Sequence, residues 1–180
     1  MCAVTKATPS IFIDMGAACP FAVLGASAVT GADLVEVDGN VGVSPGTAIT
    51  SFPVGVDVAG DYHYGDTTSA AAQNALGFAI AQAQDRTPTR TLSSYAVDIG
   101  GRTLTPGVYK VGSSLAIYST LKLNAQGDAD AAWIFQSFKL VPAIGTSFLA
   151  ASKVIFINRP LEGMTGDHVW WQVGTSATIG

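Results

Sequence analysis

The stretch 104–136, LTPGVYKVGSSLAIYSTLKLNAQGDADAAWIFQ, alternates apolar and small polar residues, breaks at Pro106-Gly107 and Gly127-Asp128, and then alternates again. A period of two puts successive side chains on opposite faces of an extended strand. Leu115, Ile117, Leu121 and Leu123 share one side. Ser114, Ala116, Thr120 and Lys122 belong to the other, provided the chain bends near Tyr118-Ser119. Related phrases return later: VGSSLAI at 111–117 is echoed by VGTSATI at 173–179, and WIFQ at 133–136 by VWWQ at 169–172. One coil written more than once, with strand periodicity, is the signature of a β-solenoid.

Composition narrows the function classes. Of the 180 residues, 48% are hydrophobic and 12% charged, against about a quarter charged in ordinary domains. That balance is opposite to the one that keeps chains disordered. It suits a single mainly β domain with many tight turns, large enough for a core. The net charge of −4, with Lys and Arg scattered singly, gives no electrostatic basis for binding nucleic acid or an anionic membrane. No run of about 18 apolar residues exists to span a bilayer. The opening MCAVTKATPSIFIDMGAACP does not read as a signal peptide, because Asp14 interrupts a short apolar patch. Cys2 and Cys19 cannot build a metal site alone. They read as free or buried thiols, with one N-terminal disulfide as the alternative.

In chain order, FAVL at 21–24 reads as a buried strand, and Ala28-Val29-Thr30 follows it. Turns fall at Gly31-Ala32-Asp33 and Asp38-Gly39-Asn40. Thr47-Ala48-Ile49-Thr50 alternates again, and 53–64 reads as a crossing loop. One good helix is predicted over 68–84, capped by Asp66 or Thr67 and ended by Thr87-Pro88. Ala72, Ala75, Leu76, Ala79, Ile80 and Ala83 share its apolar face. KVIFIN at 153–158 and Val169 to Val173 are further strands.

The ordered set FAVLGASAVT, GNVGVSPGTAIT, GGRTLTPGVYKVGSS, AWIFQ and VWWQVGTSATIG resembles the microbial ice-binding (antifreeze) protein family. The resemblance covers residues 21–180. It implies a discontinuous right-handed β-helix of triangular section with one long flanking α-helix. It also implies a secreted, non-catalytic, monomeric protein without cofactors, whose partners are the ice surface and its ordered water. The family's face lies on the strands after the VGSS-like phrases. Carried over by position, it would hold Ser114 and Ala116, Ser147 and Leu149, and Ser176 and Thr178, with Thr47 and Thr50 as further candidates. Against the family pattern, SFKLVPA at 137–143 reads as an extra segment. The closing strands that follow the VGTSATIG phrase in the family do not follow it here. An incomplete helix with an open, association-prone edge is the expectation.

Other constellations are weaker. His63 and His168 have no nucleophile motif nearby, and His63 reads as a loop residue. Asp128 and Asp130 resemble a calcium turn with too few carboxylates, and a solvated turn is the plainer reading. Trp133, Trp170 and Trp171 could line a sugar platform, although their strand context favours core packing. Besides ice binding, a β-helical surface or adhesion module without ice activity fits the same fold. A carbohydrate-active β-helix enzyme would need clustered Asp, Lys or Arg, and no such cluster is present.

Overall fold

Every strand ladder among the described residues is parallel, as stacked copies of one extended phrase require. The computed structural model describes residues 11–31, 36–50, 58–140, 153–160 and 168–174. The chain is mainly β, with one α-helix among the described residues. Its contacts group into two units, one built mainly from Ile13–Ala81 and the other from Gln82–Gly180 with Phe12.

In the first unit, β1 (Phe21–Gly25) passes through a two-residue corner into β2 (Ala28–Thr30). The pattern is repeated by β3 (Asn40–Val43) and β4 (Ala48–Thr50). β3 pairs on one side with β1 and on the other with β5 (Tyr62–Tyr64), while β2 pairs with β4. Val29, Val41 and Val43 turn inward with Val37, and Ile49 and Val58 pack on them. The corners stack as closely as the strands do. Gly46 N–H donates to Ala26 O at 2.9 Å, and a Cβ on Gly46 would lie 1.9 Å from Ser27 O, so glycine is required there. The crossing loop expected over 53–64 is corrected at its end, where Tyr62, His63 and Tyr64 form β5. Three residues are too short to display a period. Cys19 is disulfide-bonded, which corrects the reading as a free thiol.

The helix α1 (Thr67–Asp85) begins where its cap was expected. Asp66 Oδ1 accepts hydrogen bonds from Ser69 N–H at 2.8 Å and from Ser69 Oγ at 3.0 Å. Ser69, Ala72, Ala79 and Ala83 are buried, with Ala75 and Leu76 half-buried. Ile80 is exposed, contrary to its assignment to the apolar face, because it lies one residue, and so about 100° of rotation, beyond Ala79. In the first unit, Gln73 Nε2 donates to Gly25 O at 2.7 Å and so ties α1 to the end of β1.

The Asp66 cap is also a source of pH dependence. First the Ser69 backbone N–H and then the His63 ring hold its carboxyl down from 3.8 to about 2. A depressed carboxylate pKa stabilises the fold above the unfolded value and loses that contribution as pH falls through the folded one. Melting temperature should therefore drop more steeply between pH 4 and pH 2 in the parent protein than in Asp66→Ala. Parallel melting curves for the two across that window would contradict this.

The second unit contains two sheets that share one core. One has the order β12 (Lys153–Ile157), β10 (Thr120–Asn124), β8 (Thr103–Leu104). The other runs β13 (Val169–Val173), β11 (Trp133–Leu140), β9 (Gly107–Ala116), β6 (Arg90–Ser93), with β7 (Val97–Asp98) on the second half of β9. β9 thus spans two strands of the preceding coil. Gly112 marks the passage: a Cβ there would approach the Ser94 backbone to 2.7 Å. Leu115, Leu121 and Leu123 point inward as expected, and Ile117 packs against the same core. Tyr109, Phe135 and Trp171 stack in register across β9, β11 and β13, with centroids 5.5 and 4.2 Å apart.

The bend at Tyr118-Ser119 is present. Its corner is closed by Asp98, whose Oδ1 accepts the N–H groups of Gly100 (2.8 Å) and Tyr118 (3.1 Å). Of the expected extra segment 137–143, residues 137–140 lie within β11, and 141–143 lie outside the described residues. β11 continues through Leu140, with Lys139 opposite Ser114 and Leu140 opposite Leu115. The register shifts between Ser137 and Lys139, as at a β-bulge.

Candidate functional site

A surface that adsorbs to a solid must be flat, rigid and free of long charged side chains. Outward positions on the described strands can be compared on that basis. On β2 and β4 the outward residues are Ala28, Thr30, Ala48 and Thr50, all exposed, while Val29 and Ile49 between them turn inward. The strands are in register, Ala28 beside Ala48 and Thr30 beside Thr50. The result is a two-by-two array of methyl and hydroxyl groups. Parallel neighbours lie about 4.8 Å apart, and same-face residues repeat about every 6.6 Å along a strand. The Thr30 and Thr50 Oγ1 atoms lie 3.3 Å apart and share a hydrogen bond, which favours the rotamers that face each other. Thr47, just before β4, is also exposed.

The column expected on β9 is less open. Ser114 is half-buried and lies beside Lys139 of β11 in the strand register. Ala116 is only 4% exposed, which corrects its expected outward position. It ends β9 opposite Asp98, whose carboxylate closes the adjoining corner. Ser147, Leu149, Ser176 and Thr178 lie outside the described residues. Of the four residues in the β2–β4 array, only Thr50 is among the candidates that the sequence singles out; Ala28, Thr30 and Ala48 are not. The signal was there: Ala-Val-Thr at 28–30 and Ala-Ile-Thr at 48–50 are the same three-residue phrase. Its brevity hid it beside the longer VGSS echo.

The weaker constellations fall into structural roles. His63 lies in β5, between Asn40 and Asp66, and not in a loop. His168 Nδ1 lies 2.9 Å from Ala131 O. Asp128 Oδ1 accepts Asp130 N–H at 2.9 Å, as a solvated turn does. No group of three or more His, Cys, Asp or Glu among the described residues could hold a metal ion. Trp133 is fully buried and Trp171 stacks on Phe135, while Trp170 meets Phe12 edge-on at 6.1 Å. These contacts disperse the three rings into packing and leave no shared platform.

Residues 23–180 match the protein family described as Ice-binding-like. The chain belongs to that ice-binding-like family. An ice-binding protein from Nostoc sp. (strain HG1) is 34% identical over 178 residues, which cover 98% of this chain and 61% of that protein. The ice-binding protein of Flavobacterium frigoris (strain PS1) is 28% identical, again over 61% of its own length. The chain thus spans about three fifths of these two relatives. Among solved structures, the ice-binding protein of the Antarctic ascomycete Antarctomyces psychrotrophicus superposes with a TM-score of 0.79 at 33% identity, covering 92% of this chain and 76% of that one. An ice-binding protein from an Antarctic biological consortium gives 0.76 at 31% identity, covering 95% and 72%. Membership in the ice-binding-like family agrees with the parallel ladders and the single described helix.

Proposed function

We propose that this chain binds ice and slows crystal growth or recrystallisation, and that the array Ala28, Thr30, Ala48 and Thr50 is part of the contacting face. The observation that carries the reading is the in-register pairing of four small, uncharged, exposed side chains in a member of the ice-binding-like family. Thr30 and Thr50 can each order a water molecule by the hydroxyl, and the methyl groups of all four residues limit competing contacts. The contacts are individually weak, so a rigid backbone and favoured rotamers matter more than any single group. No bond is made or broken; the role is adsorption, not catalysis.

The finer architecture belongs to the same proposal. Parallel ladders and stacked corners support a discontinuous right-handed β-helix of triangular section, since parallel crossovers are almost always right-handed. The disulfide at Cys19 supports secretion into an oxidising environment. The active form is a monomer whose partners are the ice surface and its ordered water. Ser114, Ser147, Leu149, Ser176 and Thr178 are further candidates by their position in the family pattern.

Purified parent protein should shape ice crystals and show thermal hysteresis. Thr30→Tyr and Thr50→Tyr should each abolish most of that hysteresis, with stability changing by no more than about 0.5 kcal/mol because both sites are exposed. Full activity in the double variant would remove the array from the site. Ala116→Tyr, by contrast, should unsettle the fold.

A further inference from the structure

We infer that Asn40 and Asp66 hold His63 as the neutral, Nδ1-protonated imidazole, and that a second proton on this ring releases Asn40 and uncouples β3 from the helix cap.

The argument begins with Asn40. Its Oδ1 accepts the Asp61 backbone N–H at 3.0 Å, and this fixes which end of the amide is oxygen. The other end, Nδ2, lies 3.4 Å from His63 Nε2. An amide NH2 group can only donate, so Nε2 must be the unprotonated acceptor. The ring's one proton then sits on Nδ1, which donates to Asp66 Oδ2 at 2.7 Å. Asp66 is itself held by Ser69 through its other oxygen. The chain of bonds runs from the turn before β5, through Asn40 and His63, to the N-terminus of α1, entirely within the first unit. Packing also favours a fixed ring: its centroid is 5.3 Å from that of Phe21, and its side chain is half-buried.

Acidification gives the two nitrogens opposite fates. The Nδ1–H bond to Asp66, already charge-assisted by the carboxylate, becomes an ion pair and survives. At Nε2 the added N–H faces the Asn40 NH2, donor against donor, and the amide cannot rotate to present its oxygen without abandoning Asp61 N–H. The charged groups on the elements around the ring are Asp66 at the helix cap, Asp61 beside β5 and Asp38 before β3; Tyr62 and Tyr64 flank His63 along β5, and β1 contributes Phe21. Asp38 and Asp61 are exposed. None of them supplies Nε2–H with an acceptor in the present arrangement. Asn40 opens β3, which leads into β4, so the switch lies on the path to Ala48 and Thr50.

Nitrogen-resolved NMR of the His63 ring tests the assignment directly. At neutral pH, Nδ1 should carry the proton and Nε2 should show the shift of a bare ring nitrogen; the reverse tautomer would overturn the inference. On acidification, the Asn40 side-chain amide and the Asp61 backbone amide should move with the same midpoint as the His63 ring. Amides that stay still while the ring titrates would also overturn it. Asn40→Asp supplies an acceptor for Nε2–H and should raise the ring's midpoint above the parent's. An unchanged midpoint in a folded variant would count against the inference. The parent's amide titration decides the question if that variant does not fold.

Discussion

Replacing Phe135 with alanine is expected to cost about 3–5 kcal/mol, the upper range for a large core side chain. Phe135 is 1% exposed and lies between two other rings, with Tyr109 at 5.5 Å and Trp171 at 4.2 Å. Its removal leaves a gap in the middle of an in-register stack, where strand backbones about 4.8 Å apart cannot move together to fill it. Each ring pair is also worth about 0.5–1.5 kcal/mol beyond simple burial. A domain is stable by about 5–15 kcal/mol, so the loss is a large part of the whole. Urea unfolding, followed by tryptophan fluorescence, measures it. Phe135→Leu keeps most of the volume and should cost clearly less. A Phe135→Ala midpoint close to the parent's would mean that the stack can collapse, and that β9, β11 and β13 are not the rigid frame described above.

The alternation behind this frame is legible in the sequence. Period two alone puts Leu115, Leu121 and Leu123 on one side, and all are fully buried. The helix cap at Asp66 and the alanine face were equally readable, because both are local rules of spacing. What could not be read was register. Ser114 and the strands after it repeat a phrase, yet the residue beside Ser114 is Lys139, not a serine of the next echo. Pairing is set by where a coil closes, and one slipped residue in a corner changes it without altering the periodicity. Ala116 shows a second limit. Alternation places it on the outer face, yet it is buried, because period two carries no information on what neighbouring coils lay over a position. His63 looked like a loop residue because its three partners, Asn40, Asp66 and Phe21, come from separate elements.

Gln136 is the strongest case of such long-range determination, and Gln136→Glu should be as damaging as the loss of an aromatic ring. A helix leaves its last carbonyls without intrahelical partners. The last turn of α1 has no basic residue and ends on Asp85, which adds to the negative end of the dipole. Gln136 supplies what is lacking. Its Nε2 lies 2.7 Å from Ala83 O, 3.2 Å from Gln84 O and 2.8 Å from Arg86 O, so two N–H groups are shared among three carbonyls. The side chain is only 7% exposed, so little water is available to replace it. Glutamate has the same shape but no donor, and its charge would face three carbonyl oxygens at a helix C-terminus. Removing the donor alone, as in Gln136→Met, should cost about 1–3 kcal/mol. Adding an uncompensated, mostly buried charge should bring the total to about 3–5 kcal/mol at neutral pH. The introduced carboxyl would be pushed above its ordinary range, because burial and the carbonyls both oppose ionisation. An acid whose folded-state pKa is raised destabilises above that pKa and recovers as pH falls through it. The gap between the Glu and Met variants should therefore close on acidification. Denaturant melts of both variants at neutral and mildly acidic pH measure that gap. Equal stability of the two at neutral pH would show that water reaches the helix end, and that Gln136 is not the closed cap its three contacts describe.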